Sequence, residues 1–214
     1  MTAYLYLHGF ASSPQSHKAQ ALQKRFQALG LPLVIPDLNQ GDFTHLTLSR
    51  QIHQASEIIL SQPGPTVVIG SSLGGLTAAW LGERPELQDR IEKLVLLAPA
   101  FQFLDQWLPR LGPEQVEQWR RTGSMAVYHY TEQRHLPLRY AFVEDAETFL
   151  EAELKTEIPT LILHGHQDEV IAVTASQAYA ATRPWVKLVE LDSDHALVDV
   201  EAEIWQHIQQ FLGF

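Results

Sequence analysis

The chain has no cysteine among its 214 residues. That excludes a disulfide, a thiolate nucleophile and a thiolate-bound zinc, and it suits a reducing, cytoplasmic setting. Positive charge is also scarce. With 15 Lys and Arg against 25 Asp and Glu, the net charge is -10 at pH 7. An acidic surface repels phosphate backbones and anionic headgroups, so neither nucleic acid nor a membrane surface is an expected partner. No apolar run approaches the roughly 18 residues of a membrane span, and Met1 to Phe10 carries no basic leader followed by a long apolar stretch. The expectation is a soluble, non-exported, cytoplasmic protein. Hydrophobic residues make up 45% of the chain, enough for a sizeable core in a single domain spanning residues 1–214.

Short apolar runs alternate with longer stretches of helical period. The runs are Tyr4–Leu7, Leu33–Ile35, Thr66–Ile69, Leu94–Leu97, Thr160–Leu163 and Val186–Leu191. Between them Leu22, Phe26 and Leu29 recur at helical spacing, as do Leu48, Ile52, Ala55 and Ile59, and Ile204, Ile208 and Phe211. Strands without polar alternation, joined by single-faced helices, predict a mostly parallel sheet of about six strands with helices on both faces. Residues 100–157 break this rhythm. They carry no strand–helix unit and many aromatics, so they read as an insertion with its own structure, a lid or cap. Leu104, Leu108 and Leu111 predict a helix there, and Val127–Tyr130 with Leu138–Phe142 predict a hairpin. No repeat, low-complexity tract or linker divides the chain.

The chemistry concentrates where strands end. Gly70-Ser71-Ser72-Leu73-Gly74 stands between an apolar run and a helical stretch, the setting of a strand–turn–helix elbow that exposes a serine hydroxyl at the sheet edge. His8-Gly9-Phe10 follows the first strand, Asp168 the fifth and His195 the sixth. In a parallel sheet these ends share one edge, where ligands bind. A serine hydroxyl needs a base to take its proton, and the base needs a carboxylate to fix its tautomer. Ser72, His195 and Asp168 fill these roles as nucleophile, base and acid. The main-chain N–H groups of Phe10 and Leu73 are available to a developing oxyanion, and Gly9 allows that backbone to approach. Phe101, Phe103, Leu104, Trp107 and Leu108 are the candidate lining of an apolar substrate pocket.

Duller readings exist for each. Ser72 at an elbow also suits a helix cap, and Asp168 a turn, with Glu169 or an acid from another strand as the alternative carboxylate. His164-x-His166-x-Asp168 matches metallohydrolase ligand spacing, but no partner ligands are assigned and that reading leaves the serine elbow and His195 unexplained. No metal is expected.

The opening Tyr4-Leu5-Tyr6-Leu7-His8-Gly9-Phe10-Ala11-Ser12-Ser13-Pro14, Ser16-x-Lys18-Ala19, Pro36-Asp37-Leu38, the elbow through Gly75, and His164-Gly165-x-x-Asp168-Glu169-Val170 together resemble the small bacterial YqiA/YcfP-like esterases. These belong to the α/β-hydrolase superfamily, and the order Ser, Asp, His is the one that superfamily uses. The resemblance implies a three-layer sandwich lacking the first two strands of the full fold. It also implies hydrolysis of a small-molecule carboxylic ester or thioester by Ser72, Asp168 and His195, with no cofactor. The expected reaction is cleavage of esters with short to medium acyl chains through an acyl-Ser72 intermediate. A thioesterase for acyl-CoA or acyl-carrier substrates, or a carbon–carbon hydrolase or lyase, would share the same residues, and Arg110, Arg120, Arg121, Arg134 and Arg139 are available to an anionic substrate. A non-catalytic binding protein on the same scaffold is the remaining alternative. The insertion is longer and more aromatic than that group leads one to expect.

Overall fold

A computed structural model describes residues 2–214. Six parallel strands form one sheet in the order β2-β1-β3-β4-β7-β8. They are β1 (Ala3–Leu7), β2 (Leu33–Val34), β3 (Thr66–Ser71), β4 (Ile91–Leu97), β7 (Thr160–Gly165) and β8 (Val186–Leu191). The chain runs outward from β1 to β2, then crosses back to place β3 on the other side of β1. The connections therefore diverge between β1 and β3, and that divergence opens a crevice at their carboxyl ends. Gly9 and Ser72 lie there.

The four inner strands, β1, β3, β4 and β7, feed two cores. Leu5, Leu7, Val68, Leu94, Leu96 and Ile162 face one side, and Tyr4, Tyr6, Val67, Ile69, Val95, Leu97, Leu161 and Leu163 the other. This is why the strands show no polar alternation in sequence. On the second side Ala19, Leu22 and Phe26 of α1 (His17–Ala28) pack with Ile204, Trp205 and Ile208 of α8 (Glu201–Leu212). On the first side lie α2 (Leu48–Ser61), α3 (Leu73–Gly82) and α7 (Val173–Ala181). The result is the three-layer α/β-hydrolase sandwich. The start of α2 is fixed by Thr47, whose hydroxyl accepts from the N–H of Arg50 at 3.1 Å.

The insertion contains α4 (Phe103–Leu111), α5 (Pro113–Thr122), a hairpin of β5 (Ser124–His129) and β6 (Arg134–Arg139), and α6 (Ala141–Ala146). The expected helix at Leu104–Leu111 is present. The hairpin is present in a different register: Val127 faces Leu136, Ala126 faces Pro137, and Phe142 belongs to α6. In a two-stranded ribbon Pro137 can direct its missing N–H to the open edge, so it does not end the strand. The inward face of the ribbon carries Met125, Val127, His129, Leu136 and Leu138, which sets the register by burial. Among the described residues no helix is long and apolar enough to cross a membrane.

Candidate active site

Ser72 has φ 53° and ψ -120°. A side chain in that region costs on the order of 1–3 kcal/mol unless its surroundings impose it, and here they do. Its N–H donates to Leu97 O at 2.9 Å, and its carbonyl accepts from the N–H groups of Gly75, Leu76 and Ala100 at 2.8, 3.1 and 3.0 Å. The glycines on either side permit the bend. A Cβ at Gly70 would stand 2.2 Å from Gly74 O, and one at Gly74 would stand 2.2 Å from Leu7 O, so β1, β3 and α3 meet only through backbone.

The structure brings the three sequence-predicted side chains together. His195 Nε2 lies 3.1 Å from Ser72 Oγ, and His195 Nδ1 lies 2.7 Å from Asp168 Oδ2. The arrangement is consistent when Nδ1–H donates to Asp168 and Nε2 accepts from the serine hydroxyl. Asp168 is wholly buried at its side chain. Its Oδ1 accepts from the N–H groups of Val170 and Ile171, both at 2.8 Å. Burial opposes its ionisation, but hydrogen bonds from His164, His195 and Ile171 outweigh that and hold the carboxyl far below the ordinary carboxylate range. Asp168 and His195 meet because β7 and β8 approach closely at their ends: a Cβ at Gly165 would stand 2.3 Å from Ser193 O.

A fourth side chain, marked in the sequence by the metal-ligand spacing, also meets the acid. His164 is fully buried, its Nε2 lying 3.0 Å from Asp168 Oδ2 and 2.9 Å from Ile171 O. Both partners are acceptors, so Nε2 carries the proton, and Nδ1, 2.8 Å from Ser176 Oγ, accepts from that hydroxyl. His166, by contrast, is exposed and faces Asp192 at 3.3 Å, so the three residues with metal-ligand spacing do not converge.

Leu73 opens α3, where first-turn N–H groups lack intrahelical acceptors. Among the described residues, neither its N–H nor that of Phe10 donates elsewhere. A Cβ on Gly9 would contact Ser72 Cβ at 3.2 Å, so the Phe10 loop runs directly against the serine. The Phe10 ring joins an aromatic cluster, with centroids 5.4 Å from Trp107, 5.3 Å from Phe142 and 5.7 Å from Phe43. Phe103 packs on Trp107 and Phe142. Leu104 and Leu108 are half-buried on the same helix. Phe101 differs from the expectation of a pocket lining. It follows the tight Ala98–Ala100 turn into the core and stacks on Tyr179 at 4.2 Å, fully buried.

A model of the uncharacterised protein family UPF0227 matches residues 3–213. The chain belongs to that family. Curated relatives of this UPF0227 protein include the mitochondrial palmitoyl-protein thioesterase ABHD10 of Homo sapiens, 25% identical over 179 residues. That match covers 78% of this chain and 57% of the relative, so the chain spans less than two thirds of the relative's length. Mouse ABHD10 is similar in structure, with a TM-score of 0.76 and 20% identity over 97% of this chain and 90% of that one. Est1E from Butyrivibrio proteoclasticus, solved with ferulic acid, has a TM-score of 0.78 and 20% identity over 100% of this chain and 90% of that one. The monoacylglycerol lipase of Paleococcus ferrophilus gives 0.79 and 16% over 98% and 93%. These likenesses show that the UPF0227 chain has the α/β-hydrolase fold.

Proposed function

We propose that this protein is a serine hydrolase that cleaves carboxylic esters through an acyl-Ser72 intermediate. The observation that carries this reading is the continuous line from Ser72 Oγ through His195 to a buried, ionised Asp168, beside two undonated main-chain N–H groups. In the proposed reaction His195 Nε2 takes the Ser72 proton as Oγ bonds to the acyl carbon. The carbonyl π pair moves onto oxygen, where the N–H groups of Phe10 and Leu73 receive it. The pair then returns, the bond to the leaving alkoxide breaks, and the His195 proton goes to that oxygen. A water, deprotonated by His195, repeats the sequence on the acyl-enzyme and releases the acid. Asp168 stays ionised throughout and stabilises the imidazolium. The acyl group would lie against Phe10, Phe103, Trp107 and the half-buried Leu104 and Leu108.

Thioester cleavage is the second reading, supported by the similarity to a palmitoyl-protein thioesterase over most of this chain. It uses the same residues and differs only in the leaving thiolate. Steady-state rates on p-nitrophenyl esters of increasing acyl length, beside acyl-CoA and S-acylated peptide substrates, separate the two. Ser72→Ala should melt like the wild type and lose both turnover and fluorophosphonate labelling. Label persisting on that variant refutes the nucleophile assignment.

A further inference from the structure

One polar side chain beside the candidate site has no part in the proposed reaction. Lys18 sits in the first turn of α1, and its Nζ donates to the main-chain carbonyl of His195 at 3.3 Å. Building on the serine hydrolase reading, we propose that Lys18 is a positioning residue whose ammonium, held on that carbonyl, fixes where the His195 imidazole stands between Ser72 and Asp168.

The loop that carries His195 is otherwise tied mainly to itself. Asp194 Oδ1 accepts from the N–H groups of Ala196 and Leu197, and Ser193 Oγ donates to Asp199. Gln167 N–H donates to Ser193 O from the β7 side, two residues short of the histidine. Among the described residues, Lys18 supplies the hydrogen bond from another element to the main chain of His195 itself. The same lysine follows Phe10 by a short segment, Ala11 to His17, in which Ser16 N–H donates to Ser13 O and Ser16 O accepts from Gln20 N–H in α1. Lys18 thus joins the segment bearing one oxyanion donor to the segment bearing the base, across the serine.

The position is a poor one for a cation. The first turn of a helix favours negative charge, and α1 has no acidic residue there. Burial pushes the Lys18 ammonium down to about 8, against the opposing pull of Asp168, Asp194 and Glu201. Those acids face it from the ends of β7 and β8 and the start of α8. His17, beside it on α1, lies 2.8 Å from Glu201, and Arg25 lines the same side of α1. A charge kept where both burial and helix polarity disfavour it, and aimed at the carbonyl of the candidate base, is explained by alignment of that base better than by stability.

The test compares wild type, Lys18→Met and Lys18→Arg, each checked by thermal melting. The readouts are kcat and KM on a p-nitrophenyl ester and the rate of fluorophosphonate labelling, measured between pH 6 and pH 10. Displacing a catalytic group by a fraction of an ångström to an ångström costs up to about 100-fold. Lys18→Met should therefore lower kcat by about 10- to 100-fold, leave KM within about twofold, and slow labelling in parallel. Wild-type kcat should decline as pH rises through about 8, where the ammonium loses its proton. Lys18→Arg, charged throughout, should lack that decline. A folded Lys18→Met with wild-type kcat and pH profile overturns the proposal. If Lys18→Met does not fold, persistence of the same decline in Lys18→Arg overturns it. A wild type that neither labels nor turns over any ester removes the hydrolase reading itself, and the proposal with it.

Discussion

Replacing Asp168 by Asn changes a single atom's chemistry, and the surroundings dictate how the new side chain sits. Two N–H groups, from Val170 and Ile171, point at Oδ1 from 2.8 Å each. The amide oxygen has to take that place, because an NH2 group facing two donors would bury unpaired polar groups at about 1–3 kcal/mol each. The NH2 then occupies the Oδ2 position and confronts two imidazoles. His164 keeps a partner, since its Nε2–H also donates to Ile171 O at 2.9 Å. His195 has no such second acceptor: its Nδ1, 2.7 Å away, has to become the acceptor, and its proton moves to Nε2. Nε2–H would then point at Ser72 Oγ and could not receive the serine proton. The expected loss in kcat is on the order of 10⁴, equivalent to about 5 kcal/mol at 1.36 kcal/mol per decade. The assay is saturating turnover of a p-nitrophenyl ester, with circular dichroism to verify the fold. A variant that folds and turns over within about tenfold of wild type would show that another carboxylate orients His195 and refute this chain of reasoning.

Gly74→Ala would place a Cβ 2.2 Å from the Leu7 carbonyl; the expected destabilisation is about 3 kcal/mol or more, read from the denaturant midpoint, and a near-wild-type midpoint would contradict the close approach of β1 to α3. Ser176→Ala leaves the buried Nδ1 of His164 without its donor, at an expected cost of about 1–3 kcal/mol by thermal or chemical unfolding. Trp107→Ala removes a ring that packs on Phe10 and Trp119; the ratio of kcat/KM for long over short acyl esters should rise by about tenfold, and an unchanged ratio would exclude this face as the acyl surface. The folded-state pKa of Asp168 is depressed, so its contribution to stability is complete above the unfolded value near 3.9 and declines as pH falls below it. The acid-unfolding curves of wild type and Asp168→Asn should accordingly converge at low pH.

Much of the candidate site is legible in the sequence because the residues that build it obey local rules. Short apolar runs marked all six strands of the main sheet, the inner four of them buried on both faces. The elbow demanded glycines on both sides of Ser72, and Asp168 and His195 each stood just past a strand end. What escaped was set by contacts between distant segments. The hairpin register follows from which residues of β5 and β6 meet the core, and no local signal separates Val127 opposite Leu136 from a neighbouring alignment. Phe101 looked like lid lining by composition, yet the turn after β4 directs it beneath Tyr179. Lys18 lies inside a recognisable motif, but its partner is 177 positions away; His164 is only 4 positions from Asp168 and is the local exception, its contact made by the turn after β7.

In the sheet β4 and β7 are immediate neighbours, with Leu94 opposite Thr160 and Leu97 opposite Leu163. Because the two strands run parallel, the polypeptide between them leaves at the carboxyl edge after Leu97 and returns to the opposite edge at Thr160, crossing the length of the sheet. Trp119, Leu138, Phe142 and Val143 anchor that crossover in the core, while its outward part can vary with both strands still paired. Natural variation, or a deliberate graft, can thus change the outer surface while Ser72, His195 and Asp168 keep their spacing.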